Sequence, residues 1–309
     1  MKTKNPPMST YTFEATLASA QKANWKLEDV LSEPRKLDFN MPFLPESLAR
    51  VESLEFLSPD EQRTLNQIRG HAYLSIFGIV EEFILPFVLD HARPHLSGDD
   101  WRVRSLLQFA SEEAKHIQLF KRFREEFQRD FGHRCDVIGP PSAIADTVLA
   151  HDPLGVALAI LHIEWMTQRH FTEGARHDAR IDPRFKRLLT FHWIEEAQHA
   201  KLDTLMVESL AESRSPGERS AGVDAYLSIG GFLDEGLKQQ VELDLAAFER
   251  ATGRRLSDAE RQRFREVQHQ ANRWTYLGSG MTHPEFRKTM ETIGSREVER
   301  LDAISATFC

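Results

Sequence analysis

Apolar residues recur at spacings of three and four along most of the chain, and two-residue alternation is nearly absent, which predicts an all-α protein. The first long apolar stripe opens at "SPDE", where Ser58 caps, Pro59 takes the first turn and Glu61 completes a capping box. That helix is expected to run to about His91, with a kink near Glu81 because Pro86 cannot donate to the carbonyl of Glu82. A second helix is expected from about Asp99 to Phe131, stopped by Gly132. Residues 132–151, which contain Gly-Pro-Pro, join two halves. The next two helices each open on Asp-Pro, at Asp152 and Asp182, and should end near Arg176 and Ser213. Further helices are expected over about 221–251 and 258–277, the latter boxed by Ser257 and Glu260, and a last one after Pro284. The Pro-punctuated residues 1–57 are expected to form an N-terminal arm or short helices lying over a body of 58–309. In that body 58–213 is the core four-helix bundle and 214–309 are C-terminal helices.

Polar residues interrupt the apolar stripes in a repeated way. An offset of 83 residues carries Glu113 and His116 of "SEEAKHIQLF" onto Glu196 and His199 of "TFHWIEEAQHAKLD". The same offset carries Glu81 onto Glu164 and Glu82 onto Trp165, so the repeat selects Glu81, whose face also holds Leu74, Phe77, Gly78, Leu85 and Val88. Each half thus contributes a lone Glu on one helix and Glu-x-x-His on the next. Antiparallel hairpins place the four at one height: at about 1.5 Å per residue, the arms from Glu81 and Glu113 to their turn are roughly 15 and 21 Å.

One Glu-x-x-His is ordinarily a solvated helix face. Two, each preceded by a Glu at the same 32-residue spacing, form the ligand set of a carboxylate-bridged dimetal centre in a bundle core. Four carboxylates balance two divalent cations, and buried acids without such compensation are costly. Mixed carboxylate and imidazole donors suit iron, with manganese as the alternative. His192 stands where the repeat has Phe109, one turn before Glu196, and is a candidate seventh ligand. Glu112 and Glu195, which precede the ligand glutamates, are candidates to hold the free ring nitrogens of the ligand histidines. His162 and His170 lie off the Glu164 stripe and, together with His71, His91 and His95, are assigned structural or surface roles. Phe77, Phe109 and Phe120 are candidates to line a pocket beside the metals.

Composition narrows the setting. The net charge of −8, with no dense basic run, argues against a nucleic-acid surface. No uninterrupted apolar run reaches the roughly 18 residues a membrane span needs, and the start lacks a secretory apolar region. Two cysteines, Cys135 and Cys309, are too few for a thiolate site or a disulfide framework. A cytoplasmic enzyme is the expectation.

The residues resemble the ferritin-like di-iron oxygenases, and within them the p-aminobenzoate N-oxygenase family, which adds a histidine four residues before the second motif's Glu. Here that residue is His192 in "HWIEEAQH". The resemblance spans about 58–213 and, more loosely, the helical C-terminal part with "TYLGSGMTHPEF". It implies that Glu81, Glu113, His116, Glu164, Glu196 and His199 bind two irons, with His192 added on one of them. It further implies O2 as co-substrate and transfer of oxygen to the nitrogen of an aryl, alkyl or carrier-tethered amine, giving hydroxylamine, nitroso or nitro products. An external reductase must supply electrons, since no flavin or iron–sulfur motif is present, and a homodimer is implied. A di-iron C–H hydroxylase or desaturase is the alternative, separated by His192. A ribonucleotide reductase radical subunit fits less well: its usual tyrosine position is Phe120 and its usual first ligand is Asp rather than Glu81. A storage ferritin has a shorter chain and one Glu-x-x-His.

Overall fold

The computed structural model describes residues 9–32 and 35–309, all helix and connecting loop without strand. The prolines at 6, 7 and 34 that mark the expected arm lie outside the described residues. Among the described residues thirteen α-helices are formed: α1 (Phe13–Ala23), α2 (Leu27–Leu31), α3 (Glu46–Ala49), α4 (Pro59–Ala92), α5 (Asp100–Phe131), α6 (Pro141–Leu149), α7 (Pro153–Arg169), α8 (Pro183–Glu212), α9 (Pro216–Thr252), α10 (Asp258–Arg273), α11 (Ser279–Met281), α12 (Pro284–Ile293) and α13 (Ser295–Ser305).

The helix starts follow the caps in the sequence. Ser58 accepts from the Glu61 N–H while the Glu61 carboxylate accepts from the Ser58 N–H at 2.8 Å. Asp152 accepts from the Leu154 N–H and Asp182 from the Phe185 N–H, at 2.8 and 2.7 Å. Gly132, at φ 79, ends α5 in the left-handed conformation that glycine adopts without penalty. α4 passes Pro86 as one continuous helix.

Two features differ from expectation for local reasons, and two helices reach their expected ends through a wider turn. α9 begins at Pro216 rather than near 221, because Ser215 and Glu218 form a capping box there. The junction between the halves holds a helix of its own, α6, opened by Pro141. α7 gives way at His170 to a wider π-turn over His170–Ala175, and α10 does the same over Trp274–Gly278.

α4 and α5 form one antiparallel hairpin, α7 and α8 the other, and α9 lies along α7 and α4. The α7–α9 approach is close because both helices present glycine. A Cβ on Gly155 would sit 2.6 Å from the Ala225 Cβ and 2.8 Å from the Tyr226 nitrogen, and one on Gly222 would meet Leu154 at 2.7 Å. The arm is tied to α4 by buried side chains that satisfy its backbone: Asn66 Oδ1 accepts from the N–H groups of Phe43 and Leu44, and Gln67 donates to the carbonyls of Phe39 and Met41. Glu126 accepts from the Leu37 N–H and pairs with Arg184 at 2.8 Å, joining arm, α5 and α8.

The stretch Pro59–His95 is long and apolar enough to cross a membrane by length and composition, although no uninterrupted run reaches that length. Its most apolar window is 72% buried inside the bundle, so it is spent on the core.

Candidate metal centre

The four long helices of the two hairpins each turn ionisable residues inward at one level. Glu81 comes from α4, Glu113 and His116 from α5, Glu164 from α7, and His192, Glu196 and His199 from α8; every one is buried. Glu82, one residue from Glu81, is exposed, as the 83-residue repeat requires.

The donor atoms form two overlapping groups, Glu81–His116–His192–Glu196 and Glu113–His116–Glu196–His199, with all atoms of a group within 4.8 Å of one another. His116 Nδ1 is 3.0 Å from Glu196 Oε1 and 3.7 Å from Glu81 Oε1. His199 Nδ1 lies 2.8 Å from Glu113 Oε1, and His192 Nε2 lies 3.1 and 3.0 Å from Glu81 and Glu196. Glu164 meets the group through a hydrogen bond to Glu196 and stands near His199 and Glu113.

Within the set, His192 Nε2 is hydrogen-bonded to Glu81 Oε1 at 3.1 Å and Glu164 to Glu196, but most of the other inward atoms are near one another without being aligned. His116 Nδ1, His199 Nδ1, both oxygens of Glu113, Glu81 Oε2, Glu164 Oε2 and Glu196 Oε1 are buried and make no aligned hydrogen bond. Buried polar atoms are rarely left so. Donor atoms gathered within 4.8 Å of one another with so little pairing among themselves are what bound cations satisfy, and the donor set fits two of them.

The far side of each histidine explains which nitrogen faces inward. Nε2 of His116 donates to Glu195 Oε2 at 2.8 Å, and Nε2 of His199 donates to Glu112 Oε2 at 2.9 Å. Each carboxylate thus reaches across the bundle to the other half's histidine. Burial works against ionising Glu195, but its contacts with His116 and Lys115 outweigh this and lower its pKa. As an anion it can only accept, so Nε2 carries the proton and Nδ1 keeps its lone pair for the centre.

The remaining shifts describe the cluster without its cations. Burial, then Glu113, pushes Glu81 up to about 8. Burial and Glu196 raise Glu164 far above the usual carboxylate range. For Glu196, burial is outweighed by His192 and His199, and its pKa falls. Burial is likewise outweighed for His116 and His199, which are raised by their carboxylate partners.

Three residues that pattern reasoning did not single out surround the centre. Asp203, one turn beyond His199, is wholly buried with neither oxygen hydrogen-bonded, and burial raises its pKa strongly. Its repeat partner is Phe120, so the internal repeat carries no trace of it; its place on the His199 stripe was the available signal. Trp25, between α1 and α2, stacks on His116 with centroids 5.8 Å apart and planes 17° apart. Lys115 caps the stack: its ammonium lies 4.0 Å from the Trp25 ring, donates to the Trp25 carbonyl and holds Glu195 at 2.5 Å.

The three phenylalanines do pack on the centre. Phe109 lies 4.1 Å from the His199 ring, and Phe120 and Phe77 lie 5.0 and 5.6 Å from that of His192. Phe77 alone of these also walls a cavity of about 410 Å3 between α4, α6, α7 and α9. The histidines assigned elsewhere stay out of the donor groups. His162 bonds the Tyr226 hydroxyl at 2.7 Å, and His170 bridges the hydroxyls of Tyr73 and Ser279 at 3.0 Å each. His71 packs on Phe127, while His91 and His95 lie together near the α4–α5 turn.

No family model matches the chain, and no curated protein matches it. Solved structures of R2-like ligand-binding oxidase variants are similar to it. One with an aerobically reconstituted Mn/Fe cofactor shares 13% identity, with 86% of this chain and 93% of that one covered, at a TM-score of 0.47. Another with an Fe/Fe cofactor shares 14% identity over the same shares of both chains, at 0.46. A likeness at this level bears on neither metal nor reaction, and the chemistry of the centre rests on its own residues.

Proposed function

We propose that the protein is a dimetal oxygenase, with two irons or an iron–manganese pair held by Glu81, Glu113, His116, Glu164, His192, Glu196 and His199, and that it oxygenates the nitrogen of an amine. The observation that carries the dimetal reading is the pair of interlocked, buried donor groups, most of whose inward atoms lie within 4.8 Å of one another yet are without a hydrogen-bond partner. The bound pair would supply two-electron reduction of O2. Around it, Glu195 and Glu112 fix the tautomer of His116 and His199, Lys115 keeps Glu195 anionic, and the apolar collar of Phe77, Phe109 and Phe120 excludes water.

Nitrogen rather than carbon as the acceptor is supported by His192. Its Nε2 stands within the donor group, 3.0–3.1 Å from two ligand carboxylates, where the other half has a phenylalanine. A further neutral donor adds electron density without charge. Carbon hydroxylation or desaturation by the six remaining ligands is the second reading. Electrons come from a separate reductase and the amine arrives free or on a carrier. The working form is a homodimer, as the N-oxygenase resemblance implies, in the cytoplasm.

The test is anaerobic loading with ferrous iron, exposure to O2 with a panel of aryl and alkyl amines, and mass spectrometry of the products. Metal content near two per chain and oxygen attached to nitrogen are expected. Oxygen found only on carbon would retire the N-oxygenase reading in favour of the second, and a chain that binds no metal would retire both.

A further inference from the structure

The cavity beside the centre has a chemistry of its own. It lies on the side of the lone glutamates: its walls come from α4, α6 with the preceding Ile138 and Gly139, α7, α9 and Tyr276, and α5 and α8, which carry the histidines, contribute nothing. Val80 and Ile163, the residues before Glu81 and Glu164, line it, and Phe77 forms a wall shared with His192. A molecule within it would therefore be one ring's thickness from the donor groups.

The walls are apolar, mostly aliphatic, with four aromatic rings set among them. Phe77, Phe83 and Tyr276 are buried rings around the inner part, and Phe232, 38% exposed, stands at the mouth. Flat π-faces with few polar groups favour an aromatic occupant. Among the residues lining the cavity, the only charged one is Glu235, exposed near the mouth, and there is no Lys or Arg. Cations around it are otherwise engaged or in water: Arg69, buried and within electrostatic reach of Tyr276, donates to Asn272 and lies 3.9 Å from Asp244. Arg273 is held by Asp234 at 2.6 Å, and Lys238, itself exposed, lies 3.9 Å from Glu235.

We propose that this cavity is the substrate pocket and that it receives an aromatic amine without an acid group. This deepens the amine-oxygenase reading and rests on it. An acid buried here would find no cation in the lining and would face Glu235, with Arg69 already committed to Asp244 and Asn272, whereas an uncharged or cationic far end meets no such penalty. An arylamine nitrogen is neutral near pH 7 and carries the lone pair that must receive oxygen. An alkylammonium would have to shed its proton to enter an apolar cavity.

Binding to the metal-loaded protein under anaerobic conditions, measured by calorimetry, separates the pocket from the reaction. 4-Butylaniline should bind about tenfold or more tightly than 4-aminobenzoate, since only the latter buries an unpaired charge. Met166→Trp, which fills the cavity away from the ligands, should abolish 4-butylaniline binding with metal content unchanged. Glu235→Arg should improve 4-aminobenzoate binding by about tenfold, supplying the missing cation. Equal or tighter binding of the acid by the unaltered protein overturns the proposal, as does no binding of either probe, or binding that survives Met166→Trp. Admission of O2 then tests the reaction alone: 4-butylaniline bound in the pocket but oxygenated on carbon would retire N-oxygenation while leaving the pocket assignment standing.

Discussion

Glu81 and Glu82 are adjacent acids with opposite fates, one in the bundle core and the other in water. The difference is one of helical register, and it makes a discriminating comparison. Glu113→Ala removes a carboxylate whose two oxygens face the donor groups, and it should remove most of the bound metal. Glu82→Ala should leave metal content and melting temperature unchanged. Equal metal loss from the two, read by elemental analysis, would mean that the register is wrong. His192→Ala should keep the fold, because Phe109 fills the equivalent place in the other half, yet weaken one of the two metals by about tenfold or more. Retention of both metals at full occupancy would show that His192 packs rather than ligates. Eight of the nine candidate positions recur as pairs 83 residues apart, a signal no single helix provides; His192 stands out instead by breaking the repeat, one turn before Glu196. Asp203 and Trp25 carry no such signal. Asp203 is matched by Phe120, and Trp25 reaches His116 from an arm about 90 residues earlier, a contact set by tertiary packing alone.

At the scale of elements, the caps announced where most helices begin, and the outcome followed them closely. Asp-Pro and Ser-x-x-Glu act within one turn, so sequence order is enough to read them. How helices dock was less accessible. The cavity wall joins α6, set in what looked like a linker, to α9 and Tyr276, and only their packing brings them to α4 and α7. The glycines at the α7–α9 contact explain part of that packing. Gly155 is surrounded by the Ala225 Cβ, the Tyr226 nitrogen and the Gly222 carbonyl, so two of the three obstructing atoms are backbone and cannot rotate aside. Gly155→Leu should therefore force α9 outward, destabilising the protein by about 1–3 kcal/mol or more and loosening the cavity. Denaturant unfolding measures the first effect, and binding of 4-butylaniline the second. An unchanged midpoint would show that α9 docks more loosely than these distances imply.

At the scale of the whole molecule, the centre places a stability cost in the core that metal removes, and pH exposes it. Without metal, Glu81 keeps its proton to about pH 8, whereas in the unfolded chain the same carboxyl ionises near 4.5. The unfolded state sheds that proton first, so stability falls as pH rises between those values. Glu164, also raised, acts with the same sign. His116 and His199 are raised above their ordinary 6.5; their contribution is complete below that value and is lost as pH climbs through their folded values. Glu196 has the opposite sign, but its folded value lies below the carboxylate range, so its loss falls at more acidic pH, outside this window. The metal-free protein should thus melt at lower temperature at about pH 8 than at about pH 5.5. Metal binding reverses the trend, because the ligands must give up the same protons to coordinate and affinity rises as they become easier to remove. Stabilisation by a bound ion grows with the logarithm of its concentration over its dissociation constant, about 4 kcal/mol at a thousandfold excess. The gap in melting temperature between loaded and chelator-stripped protein should therefore widen from pH 5.5 to pH 8. A gap that narrows would mean that the buried acids and histidines are not the groups the metal displaces protons from.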